Sequence, residues 1–253
     1  YIMDYKVLSR KYRPQKFSEI IGQPHIVDTL INSIATNRLA HGYLFSGLRG
    51  VGKTTTARVL SKTLNCLQKD SDSPCESCQN CIEITESRSL DVIELDGASN
   101  RGIDEIRLLK ENVGFAPTQV KNKVYIIDEV HMLTNEAFNA LLKTLEEPPS
   151  NVYFILATTE AHKIPETIVS RCQKFNFERL SIADIVSRLD YICQQEKIKF
   201  DQDGLMQIAK VARGGMRDSI SLLDQVQVLG EVNQSSVREI LGKSDSHTVT
   251  KMR

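Results

Sequence analysis

A chain of 253 residues can bury a substantial core and reads as two domains. Its 32 Lys and Arg balance 32 Asp and Glu, so no global field draws a nucleic acid in, and such a partner must be met by a local basic face. No apolar run approaches the length of a membrane span, no signal peptide opens the chain, and Tyr1 and Ile2 ahead of Met3 read as an expression scar. Six cysteines without an export signal point to reduced thiols in a cytoplasm, which favours metal over disulfides where they cluster.

In chain order, Ile26, Leu30 and Ile34 recur every fourth residue, with Val27 and Ile31 beside them, and predict a helix over 23–36. Residues 43–46, YLFS, form a short buried strand that runs into GLRGVGKT and a helix to about 64. A second strand is expected at 90–95, a helix at 103–111, a third strand at 124–127 and a helix at 135–146, stopped by Pro148 and Pro149. A fourth strand at 152–158 and a short fifth at 174–177 follow. Strands alternating with helices predict an α/β fold, a doubly wound parallel sheet with helices on both faces. After Phe177 the pattern turns helical. Ser181 with Asp184 reads as a capping box opening a helix to about 196, and helices follow at 203–212, 216–229 and 234–241. No strand is evident there. The expected organisation is a nucleotide-binding domain over 1–178, a helical lid over 179–242, and the cut-off opening of something further over 243–253.

Gly47, Gly52, Lys53 and Thr54 fit G-x-x-x-x-G-K-[ST] between a strand and a helix. The glycines let backbone N–H groups turn toward phosphates, and the helix start adds its positive dipole end. Lys53 supplies a point charge and Thr54 a hydroxyl ligand for Mg²⁺. Gly50, Val51 and Thr55 complete the expected nucleotide-binding stretch. About seventy-five residues on, VYIIDEVH places Asp128 and Glu129 at the carboxyl end of an apolar strand, where open α/β sheets present ligands. Asp128 is assigned to Mg²⁺ and Glu129 to the attacking water. The bland alternative is two acids in an exposed turn.

Cys66, Cys75, Cys78 and Cys81 follow C-x8-C-x2-C-x2-C. Four cysteinates can close around one tetrahedral ion, leaving no open position, so zinc here would be structural. An iron–sulfur cluster or disulfides remain as alternatives. Cys172 and Cys193 read as core thiols. Arg171 lies just before the fifth strand and reads as functional, as a surface charge or as a carboxylate partner. Arg217 opens a helix, against the macrodipole, and is the odder arginine.

Together, VLSRKYRPQKFSEIIGQ at 7–23, HGYLFSGLRGVGKTT, the cysteine insertion, IIDEVHML, NALLKTLEEPP, ILATTE, SRC and GGMRDS resemble the gamma/tau family of bacterial DNA polymerase III clamp loaders, which are AAA+ ATPases. The resemblance covers about residues 7–242. The cysteine insertion resembles the zinc module of the bacterial subunits. The related delta-prime subunit has the cysteines but typically not an intact phosphate loop, and this chain has both. The resemblance implies that Ser9, Arg13, Pro14, Ile20 and Ile21 line the adenosine pocket. It makes Thr159 the first sensor near the γ-phosphate, Arg217 the second sensor, and Arg171 an arginine finger for the neighbouring subunit. The cofactors implied are ATP, Mg²⁺ and Zn²⁺. The implied partners are further gamma/tau copies, delta, delta-prime, the sliding clamp and primer–template DNA, in a bacterial cytoplasm at the replication fork. DNA would be gripped by its phosphates, with Arg101, Arg107, Thr134 and Lys143 as candidates. The family's collar domain is absent or barely begun at 243–253, so a monomer is expected. Competing readings are another AAA+ remodelling ATPase, of helicase or unfoldase type, and an assembly module that holds ATP without turnover. His131 is expected to be structural or coupling, with no catalytic role.

Overall fold

The computed structural model of the chain describes residues 6–68 and 73–249. The reading of Tyr1 and Ile2, and the last four residues of the expected 243–253 extension, lie outside the described residues.

Two compact units form, one of Pro14–Glu178 and one of Arg179 onward together with the residues up to Arg13. The expected first domain over 1–178 therefore loses its opening segment to the helical unit. The cause is burial: Leu8 is 3% exposed within the helical core. Its N–H donates to Asp224 at 3.2 Å, and Arg188 donates to the Tyr12 carbonyl at 3.1 Å.

The elements run in chain order as α1 (Leu8–Lys11), α2 (Pro24–Ala35), β1 (Gly42–Ser46), α3 (Lys53–Asn65), α4 (Gln79–Thr85), β2 (Val92–Asp96), α5 (Ile103–Val113) and β3 (Lys123–Asp128). They continue with α6 (Asn135–Glu146), β4 (Val152–Thr158), α7 (Glu166–Val169), β5 (Gln173–Asn176), α8 (Ile182–Glu196), β6 (Lys199–Phe200), α9 (Gln202–Val211), α10 (Met216–Val226), β7 (Glu231–Val232) and α11 (Gln234–Val249).

In the first unit, β1 to β5 form a wholly parallel sheet in the order β2-β3-β4-β1-β5. Both faces are covered, so β1 and β4 are buried along their whole length. Strand alternation divides the side chains. Tyr43, Phe45, Val124, Ile126, Ile155 and Phe175 face α2 and α3. Leu44, Tyr125, Ile127, Phe154 and Leu156 face α5, α6 and α7. Each fully buried aliphatic or aromatic side chain contributes roughly 1.5–3 kcal/mol. The register puts Ser46 opposite Thr158 and Asp96 opposite Asp128, so the carboxyl ends of the strands share one edge.

Two buried polar groups tie loops to this frame. Gln23 is fully buried, and its side-chain amide donates to the Glu178 carbonyl at 2.8 Å and accepts from the Glu178 N–H at 3.1 Å. Asp91, 2% exposed, accepts from the N–H groups of Thr118, Gln119 and Val120 and from the Thr118 hydroxyl. Burial works to raise the Asp91 carboxyl, but the Gln119, Thr118 and Val120 donors outweigh it and hold it below the usual carboxylate value. We expect Asp91→Ala to cost about 2–3 kcal/mol at neutral pH, the scale of hydrogen bonds to a charged group. A depressed acid stabilises above its unfolded pKa, about 3.9, and that gain disappears as pH falls through the folded value. Urea unfolding should therefore separate wild type and variant at pH 7 and bring them together only well below pH 4.

The second unit packs α1 and α8 to α11 around Leu8, Leu189, Ile192, Leu205, Ile208, Leu223 and Val237. Ser181 caps α8, accepting from the Asp184 N–H at 3.0 Å. Asp201 caps α9, accepting from the Gly204 N–H at 2.6 Å. The expectation of no strand here is corrected by β6 and β7, a parallel pair of two residues each, too short to leave a periodicity. The last helix also runs past the expected 241, to Val249.

Candidate nucleotide site and metal centre

The loop between β1 and α3 carries three glycines in the left-handed half of backbone space, Gly47 at φ 144°, Gly50 at 80° and Gly52 at 109°. At Gly47 the need is also steric, because a Cβ there would stand 2.6 Å from the Phe177 carbonyl oxygen. Val51 is buried at 3%, and α3 opens directly at Lys53, with Thr54 and Thr55 in its first turn. Lys53 is 6% exposed, and its Nζ donates to the carbonyls of Gly47 at 2.8 Å and Leu48 at 2.7 Å. Burial lowers its pKa, while the carboxylates of Glu129 and Asp128 work to raise it.

Those acids end β3. Thr54 Oγ1 donates to Asp128 Oδ2 at 2.7 Å, which sets a hydroxyl and a carboxylate side by side. The other Asp128 oxygen accepts from the Glu129 N–H at 3.0 Å. Glu129 is left-handed at φ 47°, a costly conformation for a side-chain-bearing residue and one that clusters at working sites. Thr159 holds the turned-out carboxylate, donating to Glu129 Oε2 from its hydroxyl at 2.8 Å and its N–H at 3.3 Å. Gly97, after β2, supports the same corner. Its N–H donates to the Asp128 carbonyl at 2.7 Å, and a Cβ there would meet the Glu129 carbonyl oxygen at 2.7 Å. A lone glycine after a strand gave no sign of this in the sequence.

Lys53, Thr54, Asp128, Glu129 and Thr159 therefore lie in one constellation. Ser9, Arg13 and Arg217 belong to the helical unit, with Arg217 exposed in the first turn of α10. Pro14, Ile20 and Ile21 belong to the sheet unit, where Ile20 packs on the core beneath α2 and α3. Arg171 pairs with Glu146 and donates to the Thr167 carbonyl at 2.6 Å, so a carboxylate partner is present at an exposed position. Among the DNA candidates, Arg101 donates to the Ala98 carbonyl, Arg107 pairs with Asp104, Thr134 caps α6 and Lys143 is exposed on α6.

The four clustered cysteines converge. Their Sγ atoms all lie within 4.8 Å of one another, which suits a tetrahedral ion whose Zn–S bonds of about 2.3 Å set sulfurs about 3.8 Å apart. The Cys75 N–H points at Cys66 Sγ and the Cys78 N–H at Cys75 Sγ, each at 3.3 Å. The N–H groups of Cys78 and Ser77 bring the Cys75 thiol down to about 6, whereas burial pushes Cys66 and Cys81 up. Four sulfur donors gathered this closely fit a soft metal. Cys81 sits in α4, a helix the sequence pattern did not reveal because it spans only Gln79–Thr85. The cluster is built into the frame by asparagines: Asn80 donates to the Asn65 carbonyl at 2.8 Å, and Asn65 donates to the Asn122 carbonyl at 3.0 Å. Lys62, 1% exposed on α3, donates to Gln15 Oε1 at 2.7 Å, and Thr85 of α4 donates to the same oxygen at 3.3 Å.

A parallel sheet in this order, with a phosphate-type loop after β1 and an acidic pair after β3, defines the P-loop AAA+ fold. Solved structures agree on the fold. The Thermotoga maritima RuvB Holliday junction branch migration motor superposes with a TM-score of 0.64 at 18% identity, covering 90% of this chain and 71% of that one. A family profile described as DNA polymerase III, delta subunit, matches residues 22–181, and one described as DNA polymerase III clamp loader subunit, ATPase lid domain, matches residues 184–231. DNA polymerase III subunit tau of Bacillus subtilis is 53% identical over 88% of this chain, and that of Escherichia coli is 46% identical over 96%. DNA polymerase III subunit gamma of Buchnera aphidicola from Acyrthosiphon pisum is 47% identical over 95% of this chain and 67% of its own length. The chain belongs to the gamma/tau family of DNA polymerase III clamp-loader subunits. It spans 40% and 38% of the two tau relatives.

Proposed function

We propose that this chain is the ATP-binding and ATP-hydrolysing part of a bacterial clamp-loader subunit, whose cycle loads a ring-shaped sliding clamp onto primed DNA. The observation that carries the reading is the Thr54 hydroxyl set 2.7 Å from Asp128, with Glu129 turned out beside it and held by Thr159. In this reading the loop amides of Gly47–Thr55 and the α3 dipole receive the phosphates, and Lys53 exchanges its loop carbonyls for phosphate oxygens. Thr54 and Asp128 would hold Mg²⁺, which neutralises charge developing on the phosphoryl oxygens. Glu129 orients the attacking water, and Thr159 fixes that carboxylate and senses the γ-phosphate. Ser9, Arg13, Pro14, Ile20 and Ile21 contact the adenosine, and Arg217 contacts phosphate as the second sensor. Arg171 reaches the site of a neighbouring subunit, exchanging Glu146 for phosphate. Cys66, Cys75, Cys78 and Cys81 hold a structural zinc.

The partners in this reading are further gamma/tau copies, delta, delta-prime, the clamp, and primer–template DNA held by its phosphates through Arg101, Arg107, Thr134 and Lys143. The setting is the cytoplasm. Among the described residues no helix is long and apolar enough to cross a membrane.

The test is ATP turnover of the full-length protein, with and without clamp and primed DNA. Glu129→Gln should keep nucleotide binding and lose about a hundredfold in turnover, within the range of a lost general base. Stimulation by clamp plus primed DNA is expected. Turnover indifferent to both moves the reading to another AAA+ remodelling ATPase, and equal turnover by Glu129→Gln leaves only a nucleotide-holding assembly module.

A further inference from the structure

His131 follows the acidic pair by two residues, and its ring is buried, with the side chain 6% exposed. One nitrogen, Nδ1, stands 3.0 Å from Thr158 Oγ1 and 3.3 Å from Glu129 Oε2. The other, Nε2, stands 3.3 Å from Glu160 Oε1. We propose that His131 is a positioning residue for hydrolysis, holding the water-orienting carboxylate of Glu129 through Nδ1–H and exchanging that hold for one on Glu160. The proposal deepens the ATPase reading and rests on it.

The argument is one of donors and acceptors. An ionised carboxylate only accepts, so each ring nitrogen can bind its facing carboxylate only as an N–H donor. A neutral imidazole has one such donor. With the proton on Nδ1, the ring binds Glu129 Oε2 and Thr158 Oγ1, and Glu160 keeps its bridge from Lys163 at 2.7 Å. With the proton on Nε2, the ring binds Glu160. Nδ1 then becomes an acceptor, and the Thr158 hydroxyl can turn its proton to it while still accepting from the Glu160 N–H at 3.0 Å. Both patterns leave Glu129, Glu160 and Thr158 each with a donor, and the first leaves Nε2 an acceptor without one. They differ in one respect that matters to chemistry: in the second, Glu129 is held by Thr159 alone. A buried ring that can donate to only one of two facing carboxylates is a two-position element, and only one position adds its hold to the carboxylate that must aim a water. The local frame favours this role over simple filling. His131 lies in a single 3-10 turn, Val130–Met132, directly after the strained Glu129, so its ring is set by the same turn that projects the carboxylate.

The test compares wild type, His131→Ala, His131→Asn, His131→Gln and Glu129→Gln in the full-length protein, for ATP turnover and for affinity toward a fluorescent ATP analogue. The Asn amide reaches the place of Nδ1, and the Gln amide the place of Nε2. We expect His131→Ala to lower kcat about tenfold or more, the cost of a misplaced reacting group, with analogue affinity within about twofold of wild type. His131→Asn should recover most of that loss and His131→Gln should not. Equal kcat for wild type and His131→Ala overturns the proposal. So does recovery by Gln as good as by Asn, which marks a filling role, and this comparison decides the matter if the alanine variant does not fold. A wild type matched by Glu129→Gln overturns the ATPase reading, and the proposal with it.

Discussion

Lys53→Ala removes nucleotide binding without harming the fold. Lys53 is 6% exposed, and its ammonium donates to two loop carbonyls at 2.8 and 2.7 Å. Hydrogen bonds from a charged donor are worth about 1.5–3 kcal/mol each. Exchanging two carbonyl bonds at the low end of that range for two phosphate bonds at the high end gains about 3 kcal/mol, or about a hundredfold in affinity, since 1.4 kcal/mol is about tenfold. Titration of a fluorescent ATP analogue reads this directly, and unchanged affinity refutes the role. The same geometry fixes the sign of a second readout. Burial lowers the Lys53 pKa, so seating the charge there is a cost to the free protein. The nucleotide-free variant should therefore melt no lower than wild type. What disappears is the rise in Tm that saturating nucleotide gives wild type, because stabilisation by a ligand requires binding to the native state. A variant that melts much lower without nucleotide would mean that Lys53 holds the loop together, and that its carbonyl bonds are structural.

The candidate site residues that the structure brings together were legible in the sequence to the extent that their spacing is dictated by local backbone geometry. A loop that turns amides toward phosphate must be glycine-rich between a strand and a helix, so Gly47, Gly52, Lys53 and Thr54 announce themselves. Asp128 and Glu129 are readable because an apolar strand delivers them to the sheet's carboxyl edge, and the C-x2-C steps because each is one tight turn. The residues that steady these groups were not legible, since their partners are remote in sequence. Gly97 is needed only because the Glu129 carbonyl oxygen passes 2.7 Å from where its Cβ would be. Gln23 matters through Glu178, and Asp91 through Thr118–Val120. The assignment of residues 6–13 failed for the same reason: four residues of helix carry no periodicity that says which core Leu8 will join. Arg171 shows the limit from the other side. Its spacing left functional, surface and carboxylate-partner readings open, and the Glu146 pair is compatible with more than one of them.

Metal removal should act at a distance from the cysteines. Freshly reduced protein is expected to hold one zinc per chain by elemental analysis, and Cys81→Ser to lose it. Cys81 is fully buried in α4, so its loss removes both a ligand and the reason for that helix to stay docked. The consequence runs along the asparagine bonds. Asn80 of α4 bonds the Asn65 carbonyl that ends α3, and Asn65 bonds Asn122, whose own side chain returns to the Leu64 carbonyl at 3.0 Å. Lys62 and Thr85 share the Gln15 oxygen on the same side. Five polar contacts thus meet around the end of α3, and two of them, from Asn80 and Thr85, come from a segment that cannot fold on its own apolar content. A loss of about 3–4 kcal/mol, well below the 10–16 kcal/mol of a peptide folded by zinc alone because α3 and the sheet persist, lowers Tm by on the order of 10 °C at about 2–4 °C per kcal/mol. A strong chelator should reproduce the shift in wild type and add nothing to Cys81→Ser. The phosphate loop lies at the opposite end of α3, so affinity for the ATP analogue should fall far less than stability does. Iron in place of zinc, or no metal in freshly reduced protein, would end the zinc assignment. A chelator that cuts nucleotide affinity as deeply as Lys53→Ala would place the metal in control of the loop rather than beneath it.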